Sequence, residues 1–228
     1  MQPNPQATQS ESTHLADEAN HRIANHLAML AGLMRLRAKG FAKTPGDVRA
    51  DDVRLIFEEF AGRLETVGEV HRLLAKGSSG AAFIDIAAYL PRIAVGLASS
   101  LTAPGQTTVH CSFPVVWPLP ADQAVSLGLI IGELVTNAVK YAHPAGVAGI
   151  VRIEAWHADD GMLTIEACDD GVGLPDDIDP QTSQSLGFRT IRLLAQQLGA
   201  NVSFDNTGLG LSCALQIPRP TCFLKAAS

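Results

Sequence analysis

Aromatic residues, cysteines and surplus positive charge are all scarce in this chain, and each scarcity closes off a class of protein. Aromatics are 5% of 228 residues, and there are four cysteines. Cys111, Cys168, Cys213 and Cys222 lie far apart with no C-x-x-C pair, which argues against a disulfide framework or a cysteine metal cage and for reduced thiols in the cytoplasm. Lysine and arginine total 17 against 23 acids, a net charge of -6, so no electrostatic footprint for nucleic acid is present. The opening MQPNPQATQSEST has neither a basic n-region nor an apolar h-region and does not read as a signal peptide. Long hydrophobic runs are missing too: the stretch 84–101 is interrupted by Pro91 and Arg92 and is no clean membrane span. What is plentiful is core material, 46% hydrophobic residues, enough for one sizeable domain or two small ones.

Residues 1–11 are polar and rich in Pro and Gln, a disordered lead-in. From 12 to 39 the pattern is helical, with Ile23, Leu27, Leu30 and Met34 on one narrow stripe. A connection at 40–46 places Thr44 as N-cap and Pro45 as N1 of a second helix reaching about residue 75. Val53, Ile56, Phe60, Leu64, Val67, Val70 and Leu74 form its apolar face. Residues 12–76 therefore read as a helical hairpin. Two helices make a thin core, so a homodimer is expected, two hairpins closing a four-helix bundle.

A Gly/Ser linker at 76–80 separates the hairpin from a mixed α and β region over 82–218, with 219–228 as a tail. Asp85 is a fair N-cap for a helix to about residue 100. Strand patterns occupy 107–113, 151–156, 163–167, 202–204 and 211–217, and helices 121–142 and 186–198. The expected architecture is an α+β sandwich, one mixed sheet covered by helices.

The helix at 121–142 is apolar around most of its circumference, through Leu127, Ile130, Ile131, Leu134, Val135, Ala138 and Val139. On its remaining side Glu133, Asn137 and Lys140 line up, with Tyr141 at the edge. Such a stripe either meets water or lines a cavity; in a cavity it could hold a hydrated Mg²⁺ and the phosphates the ion bridges. Directly after a strand comes Cys168-Asp169-Asp170-Gly171-Val172-Gly173. Two glycines one residue apart let backbone approach a flat ligand, and a carboxylate at a strand end can accept from an amino group such as that of adenine.

These two segments, in this order, resemble the N box (ELVTNAVKYA, 133–142) and the G1 box (Asp169-x-Gly171-x-Gly173) of the GHKL ATPases, the Bergerat fold of histidine kinases, type II topoisomerases, Hsp90 and MutL. The resemblance implies ATP as the nucleotide, Asn137 as a Mg²⁺ ligand with Glu133 assisting it or polarising the acceptor, and Asp169 on the adenine amino group. Gly171 and Gly173 would shape the pocket. For the third box there are two candidates. Gly208-Leu209-Gly210-Leu211 spells G-x-G-L, but the alternation after it makes a hairpin turn the better reading. Ser185-Leu186-Gly187 opens a helix, whose free N–H groups suit an anion, so phosphate contact is placed there. The polar stretch 176–184 between them would be a short lid, mobile without nucleotide.

Seven histidines occur. His14, His71, His110, His143 and His157 have no partner at metal-ligand spacing and read as structural or surface residues. His21 projects opposite the Ile23 stripe, with Glu18 three residues earlier, within side-chain reach on a helix. An exposed imidazole beside a carboxylate suits phosphoryl acceptance, the acid orienting the ring and taking its proton. The run Glu18-x-x-His21-Arg22-Ile23-x-Asn25-x-Leu27 resembles the H box of the HisKA_2 sensor histidine kinases, relatives of the HWE group. That resemblance implies autophosphorylation of His21 and transfer to an aspartate of a response-regulator receiver domain. Two positions depart from the subfamily: Ala24 stands where lysine is usual, and His26 where asparagine is. No W-x-E signature follows the G1 box, which favours HisKA_2 over HWE proper. With no sensor pattern in the 228 residues, three sources of input stay open: a separate sensor protein, a ligand at the bundle, or none. The rival readings are a phosphotransferase relay with a non-catalytic ATP-type domain and an anti-sigma-type GHKL serine kinase, which lacks a His-bearing hairpin.

Overall fold

The computed structural model describes residues 21, 23–35, 38–39, 49–76, 83–103, 105–114, 116–183, 185–206 and 208–218. The lead-in 1–11, Glu18, the Thr44-Pro45 cap, the linker at 77–80 and the tail 219–228 lie outside the described residues.

Residues 23–35 are helical (α1), and α2 follows at Ala50–Lys76. The two stripes divide differently from the expectation. In α1 the residues buried by the rest of the chain are His26, Leu30 and Leu33, while Ile23 and Leu27 are 38% and 48% exposed. In α2 Gly62, Arg63, Thr66, Val67 and Glu69 are buried, whereas Val53, Phe57 and Leu64 face outward. The physical reason is that α2 spends one face on the mixed α and β region, touching its central helix, so part of each apolar stripe is turned away.

That region begins with a clip. β1 (Phe83–Asp85) pairs antiparallel with β3 (Pro118–Pro120), Ile84 opposite Leu119. Two three-residue strands, one with proline at both ends, carry no alternation that sequence reasoning can detect. Asp85 then caps α3 (Ile86–Leu101), its carboxylate accepting from the Ala87 N–H at 3.2 Å, as the sequence suggested.

β2 (Thr107–Ser112), β4 (Gly149–His157), β5 (Leu163–Asp169), β6 (Asn201–Asn206) and β7 (Leu211–Ile217) make a five-stranded sheet ordered β2-β4-β5-β7-β6. Only β2 and β4 run parallel, so the sheet is mixed. In β4 Val151, Ile153 and Ala155 are buried while Arg152, Glu154 and Trp156 are not, the signature of a sheet covered on one face. The covering layer is α3, α4 (Ala121–Asn137) and α5 (Leu186–Leu198), with α4 central between α2, α3 and α5. This is the α+β GHKL sandwich the sequence predicted, preceded by helices.

The 22 residues Ala121–Ala142 are long and apolar enough to cross a membrane, but they are mostly buried as the core helix of this sandwich. Gly128 lets α4 take that place, because a Cβ there would collide with the Tyr89 hydroxyl of α3.

Candidate functional site

The polar stripe of α4 meets protein rather than water. Glu133 is 9% exposed, and its Oε1 accepts from Arg63 of α2, through Nε at 2.8 Å and through Nη2. One turn further on, Asn137 ends the α-helical part of α4, and the chain widens into a π-turn over Ala138–Ala142. Single π-turns within helices often mark functional sites. Within this one Lys140 is half-buried and Tyr141 is 65% exposed.

The start of α5 closes on the same stripe. A Cβ on Gly187 would lie 3.4 Å from Asn137 Nδ2, 3.5 Å from Asn137 Oδ1 and 3.8 Å from Glu133 Oε2. Ser185 precedes the helix without a side-chain cap bond. Free amides of the first turn thus sit next to an amide side chain and a carboxylate, the juxtaposition expected of an anion and its counter-cation.

The loop after β5 docks on the end of the π-turn. Val172 N–H donates to the Ala142 carbonyl at 2.9 Å, and Gly171 passes so close to Ala142 that no side chain fits. Gly173 has φ of +71°, where an L side chain is strained, and it lies against Asn206. The Asn206 amide brackets the loop, accepting from Leu174 N–H and donating to Leu174 carbonyl, both at 2.9 Å. Asp169 Oδ1 accepts from Gly171 N–H at 3.0 Å and from Leu211 N–H at 3.3 Å, which orients the carboxylate. Asp169 also walls a small cavity with Ala138, Val139, Ala142 and Val151.

Next to this loop His143 Nε2 lies 2.8 Å from Asp170 Oδ1, which also accepts from Ile150 N–H at 2.7 Å. Partial burial pushes the Asp170 carboxyl up, but those two donors outweigh it and hold the group below its ordinary value. His143 is therefore a latch between the π-turn and the sheet.

Gly208–Leu211 is the β6–β7 hairpin connection, as expected. It has a second part that the sequence reading missed: Gly210, at φ of +124°, packs on the Asp169 backbone, and Leu211 N–H reaches its carboxylate. The G-x-G spelling was the available signal. Arg63 and Asn206 were missed because nothing local marks them; each meets its partner only through the fold. Within the stretch expected to form the lid, Arg192 of α5 donates to the Pro180 and Ser183 carbonyls and Gln181 Nε2 donates to the Val202 carbonyl, while residue 184 lies outside the described residues. Asp179 holds the turn, accepting from Gln181 N–H and Thr182 Oγ1, and these bonds lower its pKa.

His21 is helical and exposed. His26, one turn on, is buried, with its Nδ1 3.2 Å from His71 Nε2. Asn137, Glu133 and Gly187 thus come together, with Asp169, Gly171 and Gly173 in the adjoining loop, while His21 stands on a separate helix.

An N-box-like helix with a glycine loop and a second helix N-terminus on a mixed sheet defines the GHKL class of ATP-binding fold. Residues 122–220 match the family described as histidine kinase-, DNA gyrase B- and HSP90-like ATPase, and residues 18–101 match HisKA_2, described as histidine kinase. Both modules of a HisKA_2-type histidine kinase are thus present in order.

Blue-light-activated histidine kinase 2 of Erythrobacter litoralis is 28% identical over 204 residues, covering 88% of this chain and 56% of that protein. Sensor histidine kinase PdtaS of Mycobacterium tuberculosis is 29% identical over 206 residues, 88% of this chain and 38% of that protein. The chain thus spans about half the length of these relatives or less. The solved histidine kinase domain from Erythrobacter litoralis EL346 blue-light activated histidine kinase superposes with a TM-score of 0.68 at 27% identity, covering 92% of this chain and 96% of that one.

Proposed function

We propose that this chain is the catalytic core of a two-component histidine kinase, which phosphorylates His21 from ATP·Mg²⁺ and passes the phosphoryl group to an aspartate of a response-regulator receiver domain. The observation that carries the reading is the convergence of Glu133, Asn137 and the start of α5, with the oriented Asp169 carboxylate at the head of the loop that docks on the π-turn. The residues fit the expected group. Carboxylate and amide oxygens are the hard donors that Mg²⁺ takes, and the space a Gly187 side chain would fill stays open beside them.

In this reading Asn137 and Glu133 hold the metal, while Ser185, Leu186 and Gly187 contact phosphate through the first turn of α5. Asp169 accepts from the adenine amino group, Gly171 and Gly173 shape the floor, and Lys140 and Tyr141 border the nucleotide. When bound, Mg²⁺ supplies charge neutralisation on the phosphates. The His21 ring nitrogen forms the new bond to the γ-phosphorus as the bond to the β–γ bridging oxygen breaks and ADP leaves. Glu18 orients the ring and takes its proton. The receiver carboxylate then displaces the phosphohistidine nitrogen, returning His21 to its starting state.

The outward apolar residues Ile23, Leu27, Val53, Phe57 and Leu64 support a homodimer in which a second hairpin completes a four-helix bundle. A separate sensor protein would supply the input.

Purified protein incubated with γ-labelled ATP and Mg²⁺ should acquire label that is labile in acid, stable in base and absent from His21→Ala. Label retained by His21→Ala overturns the acceptor assignment. Absence of ATP binding would leave the relay reading in its place.

A further inference from the structure

Arg63 belongs to α2 in the hairpin, 70 positions before Glu133, yet the two side chains form a buried ion pair, 9% and 10% exposed. Both guanidinium contacts, from Nε and Nη2, land on the same oxygen, Glu133 Oε1. The other oxygen, Oε2, lies on the side of Gly187 and Asn137. A carboxylate side chain has enough rotamer freedom to turn its oxygens several ways, and a two-donor fork on one oxygen removes that freedom. Gly62, Thr66, Leu97, Gly132 and Thr136 pack around the pair, and a Cβ on Gly62 would press on the end of the Leu97 side chain of α3. A second contact holds α2 against α3: the buried Glu69 carboxylate forms an ion pair with Arg92 of α3, Nη2 to Oε1 at 2.6 Å, while Oε2 accepts from Arg72 of α2 itself.

The geometry points to Arg63 as a positioning residue of the nucleotide site, contributed by the hairpin, which holds Glu133 with Oε2 directed toward the cation position beside Asn137. The inference rests on the reading of Glu133 and Asn137 as Mg²⁺ ligands and adds what that reading lacks. The metal half of the site is complete only while α2 is seated on α4. The helix that follows the phosphoacceptor helix therefore takes part in metal binding as well as in the bundle. Outer partners of metal-ligating carboxylates orient the ligand without touching the ion, and their loss weakens metal binding about 10–100-fold.

The test titrates the full chain with the non-hydrolysable analogue AMP-PNP, once with Mg²⁺ and once with chelator, and takes the ratio of the two dissociation constants. In Arg63→Gln the affinity without Mg²⁺ should stay within about twofold of wild type while the Mg²⁺-dependent gain falls about tenfold. Glu133→Gln should lose the same gain, and the double variant should lose no more than Glu133→Gln alone, as for two residues acting through one carboxylate. Arg63→Lys keeps the charge without the two-donor fork and supplies the same measurement should the glutamine variant not fold; its gain should lie below wild type. A wild-type gain in either Arg63 variant, or a double-variant loss equal to the product of the two single losses, overturns the inference. A wild-type chain that binds no AMP-PNP overturns the ATP reading itself, a result distinct from variants that bind as wild type does.

Discussion

The sandwich and the hairpin bury different mixtures of residue. Around α4 and the sheet the interior is apolar: Ile130, Ile131, Val135, Ile153 and Ile165 are wholly buried. On the hairpin side the buried positions include His26, Arg63, Thr66 and Glu69, while Phe57 is 63% exposed. A domain that closes its own apolar core is stabilised without help. A helix pair that buries charged residues beside Leu30, Leu33 and Val67 and leaves part of its apolar stripes outside has a face still to be covered. On the function proposed above, the contrast would separate the part that holds the nucleotide from the part that carries the phosphoacceptor.

The largest expected effects break that contrast on the chemical side. His21→Ala should remove all ATP-dependent label while leaving nucleotide affinity unchanged, measured by radiolabelling and calorimetry on the same preparation. Asn137→Ala should lower ATP affinity by about a hundredfold or more and lose the label with it, in line with removing a group that orients charge at a phosphate site; unchanged affinity would place the metal elsewhere.

The next effects compare packing. Ile130→Ala should destabilise the chain by roughly 2–5 kcal/mol, because a wholly buried side chain leaves a cavity. Phe57→Ala should change unfolding stability by about 0.5 kcal/mol or less in a monomer and instead weaken self-association. Chemical denaturation and sedimentation read the two quantities separately, and equal destabilisation by both variants would erase the distinction between the regions. Gly128→Ala should cost roughly 1–3 kcal/mol, since the new methyl group meets the Tyr89 hydroxyl.

The smallest effect is electrostatic. Asp170 has its folded pKa held below the ordinary value, so its stabilisation is present above the unfolded pKa and disappears as pH falls through the folded one. The group is largely exposed, so solvent screening keeps the contribution below about 1 kcal/mol. Asp170→Asn should therefore melt slightly earlier than wild type at neutral pH, and the gap should close in acid. A gap that widened in acid would reverse the sign of the argument.

Much of the sandwich was legible because its periodicity is strong. β7 and α5 fall on the residues their patterns mark, while β4 starts two residues earlier and ends one later than expected and β5 runs two residues further. Asp85 announced α3 because a capping carboxylate is a local device. The π-turn at Ala138–Ala142 was invisible, since its sequence is apolar enough to continue an ordinary helix. The β1–β3 clip was invisible because three-residue strands hold no period. In the hairpin only part of each expected apolar stripe is covered within the chain, because a stripe records that a face is to be covered without naming what covers it.

Residue order alone carried the chemistry that depends on short spacing: the Asn137 helix, the Asp169–Gly173 loop and the His21 segment each lie within one element or turn, where the backbone fixes who meets whom. The fold was needed for everything that spans elements. Arg63 on Glu133, Leu211 N–H on Asp169 and Gly187 beside Asn137 join residues 70, 42 and 50 positions apart. A pairing at that distance leaves no local trace, since its energy is gained only after the helices and strands have packed.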